Sequence, residues 1–398
     1  MTRPLRVLQV LGGLGMGGAE TWLMAVLRRW VRNGTGKMDF LLTGGQKELF
    51  DVEAAALGAR LHYLRYGRTN LMDFAKQFRR LLRAGHYDAI HDHADYAGGW
   101  RLAMGSGVLP PVRVVHIHNP WLHIKANYAI SPSRRIAAAG GKVLVHGLAT
   151  HVCGTSAESL QQYGFQPGRL TGPNVSVLHC GFDIDQFNSP RAPDRERVLA
   201  EFGWSPDAKI VLFAGRLDRA LEFVHPQNHK NSWLALNAVR EAVLRDSAVR
   251  FIMAGEGPSR SAMIEAVQKW GLAERLRLPG IRQDIPVLMR ASDVLLFPSA
   301  QEGLGMVAVE AQAAGLPVLA STFVPKEAVV IPSLYRTLAV DAGLHVWAEE
   351  LITVMNRPRL DLGFCRAAME NSEFSIEESA KKLEGIYRSK RQHEVAYQ

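Results

Sequence analysis

Two carboxylates eight residues apart, Glu302 and Glu310, carry the first chemical information in this chain. They lie in Pro298-Ser-Ala-Gln-Glu302-Gly303-Leu304-Gly305-Met306-Val-Ala-Val-Glu310, directly after the strand-like run 293–297. On a helical wheel Glu310 has Met306, Val307, Ala313 and Ala314 three and four residues away. None of these can form an ion pair with it, so the surface salt bridge usual for a helical Glu is unavailable. A carboxylate on an apolar helix needs hydrogen-bond donors or bears a large desolvation cost. Those donors are expected from a ligand.

Two cations sit at comparable junctions. Arg216 closes the strand-like Val211-Leu-Phe-Ala-Gly215-Arg216, and Lys230 lies in His229-Lys230-Asn231 where the next helix opens. Together they suit a diphosphate, Arg through its planar fork and Lys as a point charge. Taken singly, each also reads as a solvated surface cation. Gly255 in Ala254-Gly255-Glu256-Gly257-Pro258 marks a further strand-to-loop junction, and Arg282 after Leu278-Pro-Gly280-Ile is placed to lie along a base.

The first loop, Gly12-Gly-Leu-Gly15-Met-Gly17-Gly18-Ala-Glu20, follows a strand and opens a helix. Backbone N–H groups there can approach a phosphate or sugar. The glycine spacing matches the dinucleotide fingerprint, but the second strand ends Leu42-Thr43-Gly44-Gly45, with no acid for a ribose, and Asp39 stands at its start. A nicotinamide dehydrogenase is therefore disfavoured, and a purely structural tight turn stays open. Histidines cluster at strand ends as His91-Asp-His93 and His116-Ile-His118. No helical His pair or acid set accompanies them, so no metal site is expected; hydroxyl-binding or ordinary buried histidines are.

Strands are expected at 5–11, 38–43, 88–92, 111–117, 150–154 and 175–179, then at 209–214, 249–254, 275–278, 293–297 and 317–320, with helical segments between. Apolar runs of this kind indicate an α/β fold of two Rossmann-like, doubly wound parallel-sheet domains facing across a cleft. Asp183–Pro193 shows turn chemistry and reads as a linker. The expected domains are 1–190, which would bind an acceptor, 191–372, which would bind a donor, and a helix within 373–398 that returns to the first.

The 398 residues are 47% hydrophobic, and the three cysteines lack metal-ligand spacing, as expected for free thiols in a reducing compartment. With no signal pattern and no membrane-length apolar run, a cytoplasmic protein is expected. Residues 1–190 carry 21 Lys and Arg against 12 Asp and Glu, whereas residues 191–398 carry 26 of each. The whole net charge of +9 thus lies in the first half. It suits an anionic partner, whether nucleic acid, a phosphorylated acceptor or the inner face of the cytoplasmic membrane, or else serves solubility. Of these, nucleic acid is not the expected partner.

These residues together resemble the retaining glycosyltransferases of family 4, which have the GT-B architecture. The resemblance runs from the glycine loop to about Ala320 and is strongest in Ala254–Pro258 and in Phe297–Pro317. Val324-Pro-Lys326-Glu327 and Gln227-Asn-His-Lys-Asn231 look most like members that build bacterial exopolysaccharides. It implies that Arg216 and Lys230 bind the donor diphosphate and that Glu302 holds the donor sugar. The backbone of Gly303, Leu304, Gly305 and Met306 would cradle sugar and phosphate, and Glu310 would take the ribose. His118 would reach the sugar, with Gly15, Gly17 and Gly18 against diphosphate and acceptor. It further implies a metal-independent hexosyltransferase with no cofactor beyond a nucleotide sugar, preferably a UDP-sugar, acting on a saccharide or polyprenyl-diphosphate-linked acceptor. An epimerase of nucleotide sugars and a non-catalytic binding subunit share this architecture and remain alternatives.

Overall fold

The computed structural model describes residues 3–121, 124–125, 131–166, 172–219, 222–223, 225 and 228–395. Gln227, parts of the connection before Lys230, and residues 396–398 of the terminal segment lie outside them. The chain divides into two compact units, Met1–Phe182 with Ile376–Gln398, and Asp183–Ser375.

The first unit contains β1 (Leu5–Leu11), β2 (Gly36–Leu42), β3 (Leu61–Tyr63), β4 (Ala89–Asp92), β5 (Val112–Ile117), β6 (His151–Gly154) and β7 (Asn174–Val177). They form one parallel sheet in the order β3-β2-β1-β4-β5-β6-β7. Helices cover such a sheet on both faces, so its central strands read as continuous apolar runs: Leu5, Val7, Leu8 and Val10 of β1 are fully buried. The edge strand β3 has no such run, which is why periodicity missed it; its three residues are all half-buried.

The terminal helix Ile376–Val395 belongs to this unit. Its Tyr387 hydroxyl accepts from Gln9 Nε2 at 3.0 Å, and its Ser379 Oγ accepts from Trp22 Nε1 at 2.9 Å. Ser379 Oγ in turn donates to the His179 carbonyl at 2.7 Å. These are buried bonds between segments far apart in sequence. They make the last helix a structural part of the first sheet's cover.

The second unit holds β8 (Lys209–Ala214), β9 (Val249–Ala254), β10 (Leu276–Gly280), β11 (Val294–Phe297), β12 (Val318–Ser321) and β13 (Tyr335–Leu338), again all parallel, in the order β10-β9-β8-β11-β12-β13. The expected linker is not a spacer. Within it Asn188 Nδ2 donates to the carbonyls of Ala313 and Leu362 at 3.1 and 2.8 Å, and Arg191 pairs with Asp293. Loss of periodicity there reflects packing through polar contacts, and the division falls after Phe182 instead of at residue 190.

Candidate active site

In each sheet the winding direction reverses between two central strands, β1 and β4 in the first and β8 and β11 in the second. The carboxyl ends flanking such a switch point form the natural ligand crevice of a doubly wound sheet. In the second unit β8 ends at Ala214, before Gly215-Arg216, and β11 ends at Phe297, before the acid-bearing loop.

The two loops meet. Ala300 N–H donates to the His229 carbonyl at 3.0 Å, which sets Lys230 beside the loop after β11. Lys230 Nζ then pairs with Glu302 Oε1 at 2.7 Å and stands 5.2 Å over the Phe297 ring. Their side chains are 21% and 5% exposed, so this pair is shielded and unlike a weak surface bridge. Arg216 is held differently. Its Nε donates to Asp218 Oδ1 at 2.9 Å while 55% of its side chain stays exposed. The other Asp218 oxygen accepts from the Lys230 backbone N–H. Asp218, 1% exposed, thus fixes both cation-bearing segments. Sequence reasoning missed it; the available signal was an acid two residues after Gly215-Arg216.

The helix Met306–Ala313 opens on Gly305, whose φ of 91° is a left-handed conformation that favours glycine. Its far side is locked by Gln312, whose amide donates to the Ala308 and Ala328 carbonyls and accepts from Val330 and Ile331 N–H, all within 3.0 Å. Glu310 is half-buried and has no hydrogen-bond or ion-pair partner among the described residues. Burial pushes its carboxyl up to about 7, and the positive charge of Lys230 opposes the rise. Leu304 is buried, and Gly303 and Met306 complete the turn between the two acids.

Gly215 and Gly255 serve backbone approach. Gly215 N–H donates to the Ala254 carbonyl at 3.0 Å and Gly255 N–H to Gly280 at 2.8 Å. A Cβ on Gly255, where φ is 150°, would lie 1.9 Å from the Gly215 carbonyl oxygen. Gly255→Ala is therefore expected to lower unfolding free energy by about 3 kcal/mol through backbone strain and overpacking. A urea midpoint equal to that of the wild type would contradict this.

Arg282 does not join the site. Its guanidinium pairs with Asp284, at 2.8 Å from both Nε and Nη2, and with both oxygens of Glu201. These bonds hold its proton more tightly than usual and engage the edge of its guanidinium plane.

In the first unit the glycine loop follows β1, and Gly17 caps the helix Gly18–Asn33. Two carboxylates lie over it. A Cβ on Gly13 or Gly15 would fall 2.4 or 2.7 Å from the Glu48 carboxylate, and one on Gly17 would fall 2.3 Å from Glu20 Oε2. Nothing stands within 4 Å of the equivalent point on Gly18. Burial raises the Glu20 carboxyl, and the Glu48 charge adds to the rise. A diphosphate against Gly15 and Gly17 would therefore meet like charge unless the exposed Glu48 swings away.

His118 lies half-buried beyond β5, its backbone N–H held by Asp95 Oδ1 at 3.0 Å, and Asn119 Nδ2 donates to the other Asp95 oxygen at 3.0 Å. Burial pushes Asp95 up to about 6 and His118 down to about 4. His118 Nε2 reaches His93 Nδ1 at 2.9 Å. Burial of His91, His93 and His116 fits the expectation of ordinary buried histidines, but they lie together. His91, His93 and His116 each bring one ring nitrogen within 4.8 Å of the others. Neither His-x-His pair showed this alone; parallel pairing of β4 with β5 assembles them.

Two parallel-sheet, Rossmann-like units of this kind define a GT-B protein. A model described as Glycosyltransferase Family 4 matches residues 16–186, and one described as Glycosyl transferases group 1 matches residues 208–355. The chain belongs to the family 4 type of glycosyltransferases and is an enzyme of that class. It is 27% identical to the putative glycosyltransferase EpsF of Bacillus subtilis over 387 residues, 96% of each chain. It is 29% identical to the D-inositol 3-phosphate glycosyltransferase of Mycobacterium tuberculosis over 324 residues, 76% of this chain and 62% of the relative. Anabaena HepE, solved with UDP-glucose, superposes with a TM-score of 0.73 at 18% identity, covering 97% of this chain and 99% of the other.

Proposed function

We propose that this glycosyltransferase moves a sugar from a nucleotide diphosphate donor, with UDP preferred, to a saccharide or lipid-linked saccharide in cell-surface or exopolysaccharide synthesis. The observation that carries the reading is the shielded Lys230–Glu302 pair beside an unpartnered Glu310. In this reading Glu310 takes ribose hydroxyls, Glu302 the donor sugar, and Arg216 and Lys230 the diphosphate. The bond from the anomeric carbon to the phosphate oxygen breaks as the bond to the acceptor oxygen forms on the same face. A leaving phosphate oxygen accepts the acceptor's proton, and configuration is retained. Arg216, Lys230 and the helix start at Gly305 stabilise the growing negative charge, each donor worth ~2–4 kcal/mol in the transition state. This step uses no metal.

UDP-bound HepE supports the choice of base. A melting experiment with UDP-, GDP- and ADP-glucose tests it, since saturation at about 100 times Kd stabilises by about 2.7 kcal/mol. A UDP-selective rise is expected; no rise with any of the three would overturn the donor reading. Conversion of the UDP-sugar to an epimer without acceptor would favour the epimerase alternative.

Binding carries a pH signature. Ribose hydroxyls donate to an ionised carboxylate, and Glu310 sits near 7 because burial disfavours its charge. Ionisation must precede the bond, so UDP-glucose affinity should rise roughly tenfold from pH 6 to pH 8, with proton release at the lower pH. The donor's phosphodiester groups do not titrate in that window. Calorimetry on Glu310→Gln should show weaker binding with a flat profile; an unchanged slope would remove Glu310 from the ribose site.

The basic first half suits an anionic membrane surface as the place of the acceptor. Ile136 and Val143, 72% and 70% exposed, share the helix Pro132–Leu148 with Arg134, Arg135 and Lys142, which supports peripheral contact. Among the described residues no helix is long and apolar enough to cross a membrane. Flotation should show binding to anionic vesicles that salt abolishes; equal binding to neutral vesicles, or none, would sink this placement.

A further inference from the structure

The histidines of the first unit carry chemistry that the donor reading leaves unused. In the β4–β5 pairing Asp92 stands opposite Val115, so the two His-x-His ends finish side by side at the carboxyl edge of the sheet. His91 and His116 are fully buried and His93 nearly so. Their ring centroids lie 4.1, 5.3 and 5.8 Å apart, and the Trp22 ring meets all three edge-on.

Each of the three has one nitrogen anchored by an oxygen. His91 Nδ1 lies 2.7 Å from the Tyr387 hydroxyl, His93 Nε2 2.9 Å from Gln9 Oε1, and His116 Nε2 3.2 Å from the Leu178 carbonyl. The opposite nitrogens are treated differently. His91 Nε2 and His116 Nδ1 are buried without a hydrogen-bond partner among the described residues, and His93 Nδ1 faces His118 Nε2. Orphaned polar atoms in a core are costly and rare, and two in one cluster demand an explanation. Ligating histidines show this same division, with one nitrogen on the metal and the other held by a carbonyl, hydroxyl or amide oxygen.

We propose that His91, His93 and His116 form a site for a divalent transition metal of the zinc class, ligated through His91 Nε2, His93 Nδ1 and His116 Nδ1. His118 Nε2 stands beside the fourth position. An all-imidazole donor set selects zinc, cobalt, nickel or copper over magnesium and calcium. Tetrahedral ligation at about 2.0–2.1 Å puts ligand nitrogens roughly 3.3 Å apart. Closing the present limit of 4.8 Å to that takes rotation of the rings about their Cβ–Cγ bonds, with each anchoring contact shifting as its ring turns. His91 then carries its proton on Nδ1 and donates to the Tyr387 oxygen, which ties the terminal helix to the metal. The metal is structural: it braces the sheet end that carries His118 and takes no part in leaving-group chemistry. Arg216, Lys230, Glu302 and Glu310 lie in the other unit and metal uptake is read without donor, so this site and the donor reading are tested separately; only His118, expected to reach the sugar, is common to the two.

The test uses the full-length protein stripped by a chelator and titrated with Co2+ and Zn2+. One Co2+ per chain with the intense visible bands of four-coordination is expected, and X-ray absorption of the Zn2+ form should show imidazole scatterers with no sulfur. His91→Gln/His116→Gln should weaken binding by at least about a hundredfold, whereas His345→Gln, at an exposed position, should leave it unchanged. Failure of the stripped wild type to take up either ion stoichiometrically, sulfur scattering, or equal binding by the double variant would each overturn the site. Should the double variant not fold, the wild-type stoichiometry and scattering decide alone.

Discussion

Arg216→Ala should lower kcat by roughly 10²–10³ while donor Kd changes only a few-fold. The asymmetry follows from where Arg216 is held. Its Nε is committed to Asp218, and its outer nitrogens remain on an exposed side chain directed from the end of β8. The ground-state diphosphate is already solvated and shared with Lys230, so losing one contact costs little binding. In the transition state a further negative charge collects on the leaving oxygen, and a preorganised fork then matters most. Arg216→Lys should recover only part of the loss, because a point charge cannot make two parallel bonds. Some stability should be lost as well, because the buried Asp218 carboxylate then keeps, among the described residues, only the Lys230 backbone N–H, so rates are compared on folded protein. Single-turnover rates and donor titrations on the two variants check this; a wild-type kcat in Arg216→Ala would remove the residue from the mechanism.

The parts of this protein that were legible in the sequence share one physical basis. Central strands such as β8 and β11 are buried on both faces and therefore spell apolar runs, and the chain's chemistry follows at their carboxyl ends. Edge strands β3 and β13 bury one side only partly and spell nothing distinctive. The site divided along similar lines. Glu310 was readable because its helix neighbours offer it no partner, a local property of the sequence. Asp218, Arg282 and the histidine cluster depend on contacts between distant segments. For Arg282 the sequence could not show that Glu201, far away in the chain, pairs with its guanidinium. The histidine cluster was out of reach because its members come from the ends of two adjacent parallel strands, whereas spacing was read along one element. Asp95 escaped notice for the same reason, as its bonds run to the start of the next strand's loop.

Lys230→Ala should abolish measurable transfer and lower unfolding free energy by about 3 kcal/mol, the range for stripping one partner from a buried ion pair. Glu302 is 5% exposed, so removing the ammonium 2.7 Å away leaves an uncompensated charge in a shielded site. The structural loss and the catalytic loss have different origins and can be separated. Adding Glu302→Gln to the Lys230→Ala background removes the stranded charge and should restore most of the stability, with no return of transfer. On the proposed donor reading the ion pair would be a resting arrangement: Lys230 would turn to the diphosphate on donor binding while Glu302 takes sugar hydroxyls, each charge exchanging one partner for another. A second consequence reaches Glu310, whose carboxyl is drawn down by the Lys230 charge. Without that charge its midpoint moves higher, so any residual donor binding by Lys230→Ala should gain strength at a more alkaline pH than in the wild type. Urea unfolding of the single and double variants and calorimetry across pH 6–9 resolve the three effects. Stability that Glu302→Gln does not restore would show that Lys230 supports the fold through contacts other than Glu302, such as its ammonium over the Phe297 ring.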